Sequence, residues 1–331
     1  MMNSPYQAPA GRGDPAVELV AGERQHLINL SYRLLGSLAE AEDAVQETYI
    51  RWYAMSPDQR AGIEAPGAWL TKVASRICLD MLGSARARRE RYVGDWVPEP
   101  LPDRRGWMSG RPGDTALDPA DRVSLDESIS MAFLVVLESM TPPERVAFIL
   151  HDVFGYPFAE IARIVGRNPG ACRQLASSAR RRLGNATEQS PAGDQARLVT
   201  EFRRAWEVHD IAALIDLLDP NATLTTDGGG RVQSALRPIE GPDKIARFLI
   251  GIQDRTGRRL TFTERDVNGQ PGLLTYLDGD IDTVFAFDLR DGRITHLWGV
   301  RNPDKLHAWR GVHRRATRSS RNGQGSVPNQ P

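Results

Sequence analysis

Cysteine is scarce in this chain of 331 residues: there are two, Cys78 and Cys172, with neither CxxC spacing nor a nearby histidine. That argues against a disulfide framework or a zinc knuckle and makes a reducing cytosol the expected setting. The six histidines are scattered without ligand spacing, so no metal and no cofactor is expected. An excess of either charge is also missing, 42 basic residues facing 42 acidic ones. No global pull toward nucleic acid exists, and any such contact must rest on local basic clusters balanced by acid elsewhere. No apolar run approaches a membrane span, and the first fifteen residues lack the apolar core of a signal peptide. A soluble, cytoplasmic protein with no membrane partner is the expectation. No internal repeat is found, and the length suits two or three domains with real cores.

What the chain does have is a stretch from Tyr156 to Leu183 that reads as two helices joined by a tight turn. Phe158, Ile161, Ala162 and Val165 fall at i, i+3, i+4 and i+7, one buried helical face. Gly166 suits a left-handed helix end, Asn168 a side-chain cap, and Pro169 the first position of the next helix. The second helix starts small and polar and ends in Arg180-Arg181-Arg182. A helix entering a DNA major groove needs that composition. The bland alternative is a surface hairpin with a solvated basic face. Arg173, Gln174, Ser177 and Ser178 are expected on the open face, with Cys172, Leu175 and Ala179 packed on the first helix.

Upstream, residues 1–15 read as a disordered lead. From there to residue 92 the pattern is helical. Leu27, Leu30, Leu34 and Leu35 form one stripe; Ala44, Val45, Thr48 and Trp52 form the next. A loop with Pro57, Gly62 and Pro66 leads into a helix from Trp69 past Asp80, and then into the basic run Arg86 to Arg91.

Ala41-Glu42-Asp43-Ala44-Val45-Gln46-Glu47-Thr48, with Ala68-Trp69-Leu70 and Asp80 following, resembles region 2 of extracytoplasmic-function (ECF) RNA polymerase sigma factors. Leu137 to Arg145 and the helix-turn-helix after it resemble region 4 of the same family. The resemblance implies a sigma factor that binds core RNA polymerase and directs promoter-specific initiation at −10 and −35 elements, with no catalytic residue. It places polymerase docking on Asp43, Gln46 and Glu47. Contacts to the −10 element and its melted strand fall to Trp69, Arg76, Arg86, Arg88 and Arg89. Contacts to double-stranded −35 DNA fall to Arg173, Gln174, Ser177, Ser178, Arg180 and Arg181. Three positions depart from the family pattern: Arg76 stands where Asn is common, Gly83 where Arg is, and Ser178 where Arg is.

Residues 93–128 read as a linker, rich in Pro, Gly and Asp. Tyr92 to Leu101 is too aromatic for a plain spacer and suits a strap packed on a neighbour. After region 4 (129–186) and a short linker (187–195), the pattern changes class. Helices around Leu198–Trp206, Ile211–Leu218 and Asp243–Ile252 are mixed with strands at 221–225, 260–264, 273–277, 283–289 and 294–300. Asp291-Gly292 has hairpin chemistry. The expected fold is multidomain: two all-α sigma domains followed by an α+β cone over 196–310, resembling SnoaL-like (nuclear transport factor 2-like) domains, with a disordered tail, 311–331. Trp96, Pro98 and Glu99 in the strap, Asp227, Gly228 and Gly229, and Asn302, Pro303, Asp304 and Lys305 resemble the ECF subgroup with such a fused domain. The implied role is regulation through contacts within the chain, in place of a separate anti-sigma partner. Asp227-Gly228-Gly229-Gly230 lacks the Lys-Ser/Thr and following helix of a phosphate loop, so a turn is expected. Asp227, Asp280, Asp282, His296 and Trp298 are candidate cavity residues for an unknown small-molecule ligand. The alternatives are a helix-turn-helix regulator working without polymerase, and a SnoaL-like enzyme or ligand sensor tethered to DNA.

Overall fold

Leu27, Leu30, Leu34 and Leu35 are fully buried on α1, Arg24–Leu35, in a computed structural model of the chain. The structure describes residue 20 and residues 22–89, 92–102, 127–184, 192–258 and 260–310; side chains at 85–89, 127, 192 and 253–256 are outside that description. The expected lead 1–15 and tail 311–331, and residues 103–126 of the linker, therefore lie outside the described residues.

Helix α1 stops at Gly36, whose φ of 70° is the left-handed conformation glycine adopts without strain. Ser37 then caps α2, Leu38–Ala54, accepting from the Glu40 amide. A capping box of Ser56 and Gln59 starts the short α3, Pro57–Ala61, and α4, Pro66–Arg89, completes the N-terminal helical unit. The middle unit comprises α5 (Met131–Glu138) and α6 (Pro142–Phe148), which runs into a π-helical turn at Ile149–Val153. The helix-turn-helix follows as α7, Phe158–Val165, and α8, Pro169–Leu183. Ile161, Ala162 and Val165 are buried as the spacing predicts, while Phe158 at the helix start is only half-buried. Gly166 is left-handed at φ 73°, and Asn168 accepts from the Ala171 amide at 2.8 Å. The two helical units share one apolar core, in which Leu27, Leu70 and Ile77 join Phe148, Phe154, Ile161 and Ile164.

In the C-terminal unit, α9 (Ala192–Glu207), α10 (Ile211–Leu217) and α11 (Pro242–Thr256) cover one face of a six-stranded sheet. Helix α9 begins inside the stretch 187–195 expected to be linker. The strands are β1 (Leu218–Asp227), β2 (Ile239–Glu240), β3 (Leu260–Val267), β4 (Gln270–Leu277), β5 (Asp280–Arg290) and β6 (Arg293–Val300). Their order is β2-β1-β6-β5-β4-β3, parallel at β1–β6 and antiparallel elsewhere. β1 replaces the short strand expected at 221–225, and β2 was not expected. Three Asx-Gly turns set the hairpins: Asn268-Gly269, Asp278-Gly279 and Asp291-Gly292 all have positive φ at both residues. That is the geometry whose twist matches paired strands.

Successive strand residues face opposite ways. Leu273 and Phe285 enter the core under the helices, while Leu274, Val284, Ala286, Trp298 and Val300 face the other side. That second face is buried too. Val97 of the strap, Met131 and Ala132 of α5, Leu306 and Trp309 cover it. The sheet is therefore joined to the helical units through its own outer face.

Candidate functional site

Along α2, Asp43 and Gln46 are exposed on one stripe with Ile50 and Tyr53, which are 56% and 50% accessible. Glu47 is half-buried and accepts from Arg51 Nε at 2.8 Å. Val45, Tyr49, Ile50 and Tyr53 line a groove of about 670 Å3 with Arg24 and Gln46 at its polar margin. The sequence reading named the polar part of this face and missed Ile50 and Tyr53. Their signal was an apolar pair at i and i+3 on the polar stripe.

On α4, Trp69 is half-buried and packs edge-on against Trp52 at 5.3 Å. Arg76 reaches across units, its Nη1 donating to the Ile164 carbonyl of α7 at 2.9 Å. The guanidinium expected at −10 phosphates is engaged with the helix-turn-helix in this structure. Side chains of Arg86, Arg88 and Arg89 are outside the described ones, as is Arg91. A second arginine crosses in the opposite direction. Arg145 of α6, nearly inaccessible, donates to Leu34 O at 3.0 Å and pairs with Glu138 at 2.8 Å.

On α8, Arg173 and Gln174 are exposed, and Ser177 is half-buried. The packed face is Cys172, Ala176, Ala179 and Leu183; Leu175, expected there, is only half-buried. Ser178 needs correcting as an open-face residue: it is half-buried and its hydroxyl donates to Glu144 at 2.8 Å. Burial would raise the Glu144 carboxyl pKa, yet bonds from Thr141 and Ser178 and the charge of Arg182 outweigh it and hold it below the usual range. Arg180 donates to buried Asp152 at 2.6 Å, and Arg182 donates to Ser139 O at 2.6 Å, so both are tied within their own unit. Arg181 is exposed.

The strap residues form a densely connected polar cluster. Lys305 Nζ lies 2.7 Å from Asp227 Oδ2, with both side chains buried. The same carboxylate accepts from the Tyr92 hydroxyl at 2.7 Å and the Val97 amide at 3.0 Å. Lys305 also sits 4.1 Å from the Trp96 ring centroid, a cation–π contact, and donates to Val97 O. Asn302 donates to Tyr92 at 2.8 Å and caps the short turn at Pro303–Lys305, while Asp304 pairs with Arg231 at 2.8 Å. Gly229, at φ 62°, abuts the Asn302 amide where a Cβ would collide; a Cβ on Gly228 would meet Val232 O. The glycine run is thus a turn, shaped for close approach.

The strap's other end grips α1 and α2. Pro98 is buried, and Glu99 accepts from the Leu38 amide at 2.8 Å while its own amide donates to Gly36 O at 2.8 Å. Burial pushes the Glu99 carboxyl pKa up, against the bonds from Leu38 and Ser37 and the charge of Lys305. Sequence reasoning missed Asn268. It exchanges bonds with the Leu101 backbone at 2.9 and 3.0 Å and donates to Tyr32 Oη and Ile129 O, both at 2.8 Å. One side chain in the β3–β4 turn touches α1, the strap and the entry to α5. Its signal was the Asn-Gly dipeptide.

The candidate cavity residues do not converge. Asp227 faces the strap, Asp280 is exposed, Asp282 accepts from Arg301 at 2.6 Å, and Trp298 is buried in the interdomain core. Exposed His296 stacks on Trp298 at 5.6 Å and lies 3.7 Å from Asp288. The cleft near Ser130, Gln195 and Asp288 is about 10 Å3, no more than one water occupies. No helix among the described residues is long and apolar enough to cross a membrane.

Residues 19–88 match the family described as Sigma-70 region 2, and residues 130–183 match Sigma-70, region 4. With the α+β unit behind them, they define a sigma factor carrying a further, C-terminal domain of helices packed on a sheet. The chain is 40% identical over 296 residues to the ECF RNA polymerase sigma factor SigJ of Mycobacterium tuberculosis, covering 86% of this chain and 90% of that protein. It is 33% identical over 297 residues to a probable ECF RNA polymerase sigma factor, SigI, from the same species, covering 88% and 95%. The crystal structure of M. tuberculosis SigJ superimposes with a TM-score of 0.66 at 36% identity, covering 88% of this chain and 98% of that one. The chain belongs to the ECF RNA polymerase sigma factor family.

Proposed function

We propose that this sigma factor works in the cytoplasm and is held closed by its own C-terminal domain, which regulates initiation in place of a separate anti-sigma partner and catalyses nothing. One observation carries the reading: the −10 and −35 modules are bonded to each other, Arg76 of α4 to Ile164 O of α7. Elements at −10 and −35 lie more than one turn of duplex apart, each turn about 34 Å. Helices that touch cannot occupy both. The α4–α7 contact parts on its own, and full activation further requires the strap, clamped between α1–α2 and the sheet, to let go. Opened, α2 docks on core polymerase through Asp43, Gln46 and Glu47 around the apolar groove. Trp69, Arg76 and the basic end of α4 face the −10 strand, and Arg173, Gln174, Ser177 and Arg181 meet the −35 duplex. Arg180 serves mainly to hold Asp152. Trp96, Pro98, Glu99, Asp227, Gly228, Gly229, Asn302, Pro303, Asp304 and Lys305 form the regulatory contact.

Run-off transcription with purified core polymerase tests this. Wild type should initiate from specific promoters, and Glu47→Lys should abolish core binding. Deleting residues 196–331 should change output; wild-type output from the deletion on every promoter would remove the regulatory role.

A further inference from the structure

We propose that Phe158 is a positioning residue for promoter reading, its ring orienting Arg173 toward a guanine in the −35 element. The inference rests on α8 being the −35 reader. Arg173 lies on the first two turns of α8, the part of a recognition helix that faces base edges. Its guanidinium carbon is 5.5 Å from the Phe158 ring centroid. Arg180 and Arg182 are tied to Asp152, Glu144 and a backbone carbonyl, whereas Arg173 has a ring for its partner. The difference matters chemically. An aromatic ring holds a guanidinium by its charge without a carboxylate or carbonyl occupying the N–H fork, and that fork matches the O6 and N7 acceptors of guanine. An unsupported arginine at this position would sample many rotamers, and most of them would aim the fork elsewhere.

The ring is itself held. Phe158 opens α7 directly after Pro157, and the His151 imidazole packs on it at a centroid distance of 3.8 Å, tilted 32°. His151 is fixed in turn by Nδ1, 2.9 Å from Tyr156 O, and it sits in the π-helical turn that ends α6. Imidazole, phenyl and guanidinium thus form a ladder running from the core of region 4 to its open face. The wide turn at Ile149–Val153 is what brings His151 under the ring.

The test uses holoenzyme, full-length protein with core RNA polymerase, selecting from promoters randomised across the −35 element. Wild type should favour guanine at one position. Arg173→Ala and Phe158→Leu should each lose about tenfold of that preference at that position alone, the loss expected for one bidentate base contact. Phe158→Tyr, which keeps the ring, should restore it. An unchanged base pattern in Phe158→Leu, or uniform loss at every position, would overturn the proposal, as would an Arg173→Ala protein that still prefers guanine. Wild type with no −35 preference would overturn the region 4 reading and this inference together. Because that result appears in the unmutated protein, the two failures are told apart.

Discussion

Where region 4 meets region 2, the crossing arginine bonds end on helix carbonyls; where the C-terminal domain meets the strap, the Tyr92 hydroxyl and Val97 amide bonds end on a buried carboxylate. Ile164 O and Leu34 O belong to the last turns of α7 and α1, where four carbonyls have no partner within the helix. Arg76 and Arg145 satisfy them and place positive charge at the negative end of each helix dipole. Water can take over such a carbonyl when the modules part. The strap junction is different. Asp227 is almost wholly buried and faces Lys305, Tyr92 and the Val97 amide together. The first junction suits a contact made and broken in service, the second a latch that resists casual opening and fails when one member is lost.

The largest break should therefore come from Lys305→Met. A carboxylate left buried without its cation destabilises by about 3–5 kcal/mol. Hydrogen exchange across residues 92–102 should accelerate by more than about a hundredfold, while exchange within α1 and α8 stays near wild type. Protection of the strap equal to wild type would mean that the ion pair does not hold it.

Asn268→Ala should come next. It strips partners from the Leu101 amide, Tyr32 Oη and Ile129 O, and puts alanine at φ 53° where asparagine is tolerated. About 1–3 kcal/mol is expected for the unsatisfied groups. A urea melt following the strap would show a lower midpoint. No change would place the junction's strength wholly at Asp227.

The two junctions differ also in how far they were legible beforehand. The helix-turn-helix was almost fully readable because its signals are local: Gly166, Asn168 and Pro169 act within a few residues. On α2, Asp43, Gln46 and Glu47 were named by family pattern alone, as the expected polymerase contacts. The strap and the residues around Asp227 and Lys305 were named for their resemblance. Nothing local says that Tyr92 meets Asp227, which is 135 positions away. Asn268 was missed because its hairpin dipeptide explains its presence without the contacts it makes. Ser178 was read as open, and Arg180 as a −35 contact, because helical spacing alone does not show that α6 supplies Glu144 and the π-helical turn Asp152. Strand ends were read short where Asn268-Gly269 and Asp278-Gly279 extend the pairing to the turn itself.

Arg76→Ala probes the weaker junction. Losing a single bond to a hydratable carbonyl costs about 0.5–1.5 kcal/mol. Paired fluorescent labels on α2 and α8 should report an open population raised by about fivefold, with strap exchange unchanged. A matching rise in strap exchange would show that the junctions open as one unit rather than in sequence.

The smallest effect separates the junctions by pH. Burial raises the carboxyl pKa of both Glu99 and Asp95, with Asp227 adding to the rise at Asp95. A carboxyl whose pKa is raised on docking contributes stability that is complete below its ordinary pKa. That contribution is lost as pH climbs through the raised value. The strap should thus hold most tightly at the acid edge, near the ordinary range of 3.8 to 4.5, and loosen toward neutral pH. The Arg76 contact ends on a carbonyl that does not titrate and should not follow that slope. Glu99→Gln still accepts from the Leu38 amide but has no proton to gain. Strap exchange, corrected for intrinsic rates between about pH 5 and pH 8, should therefore be flatter in the variant. An equal slope in both proteins would assign the pH response to Asp95 alone.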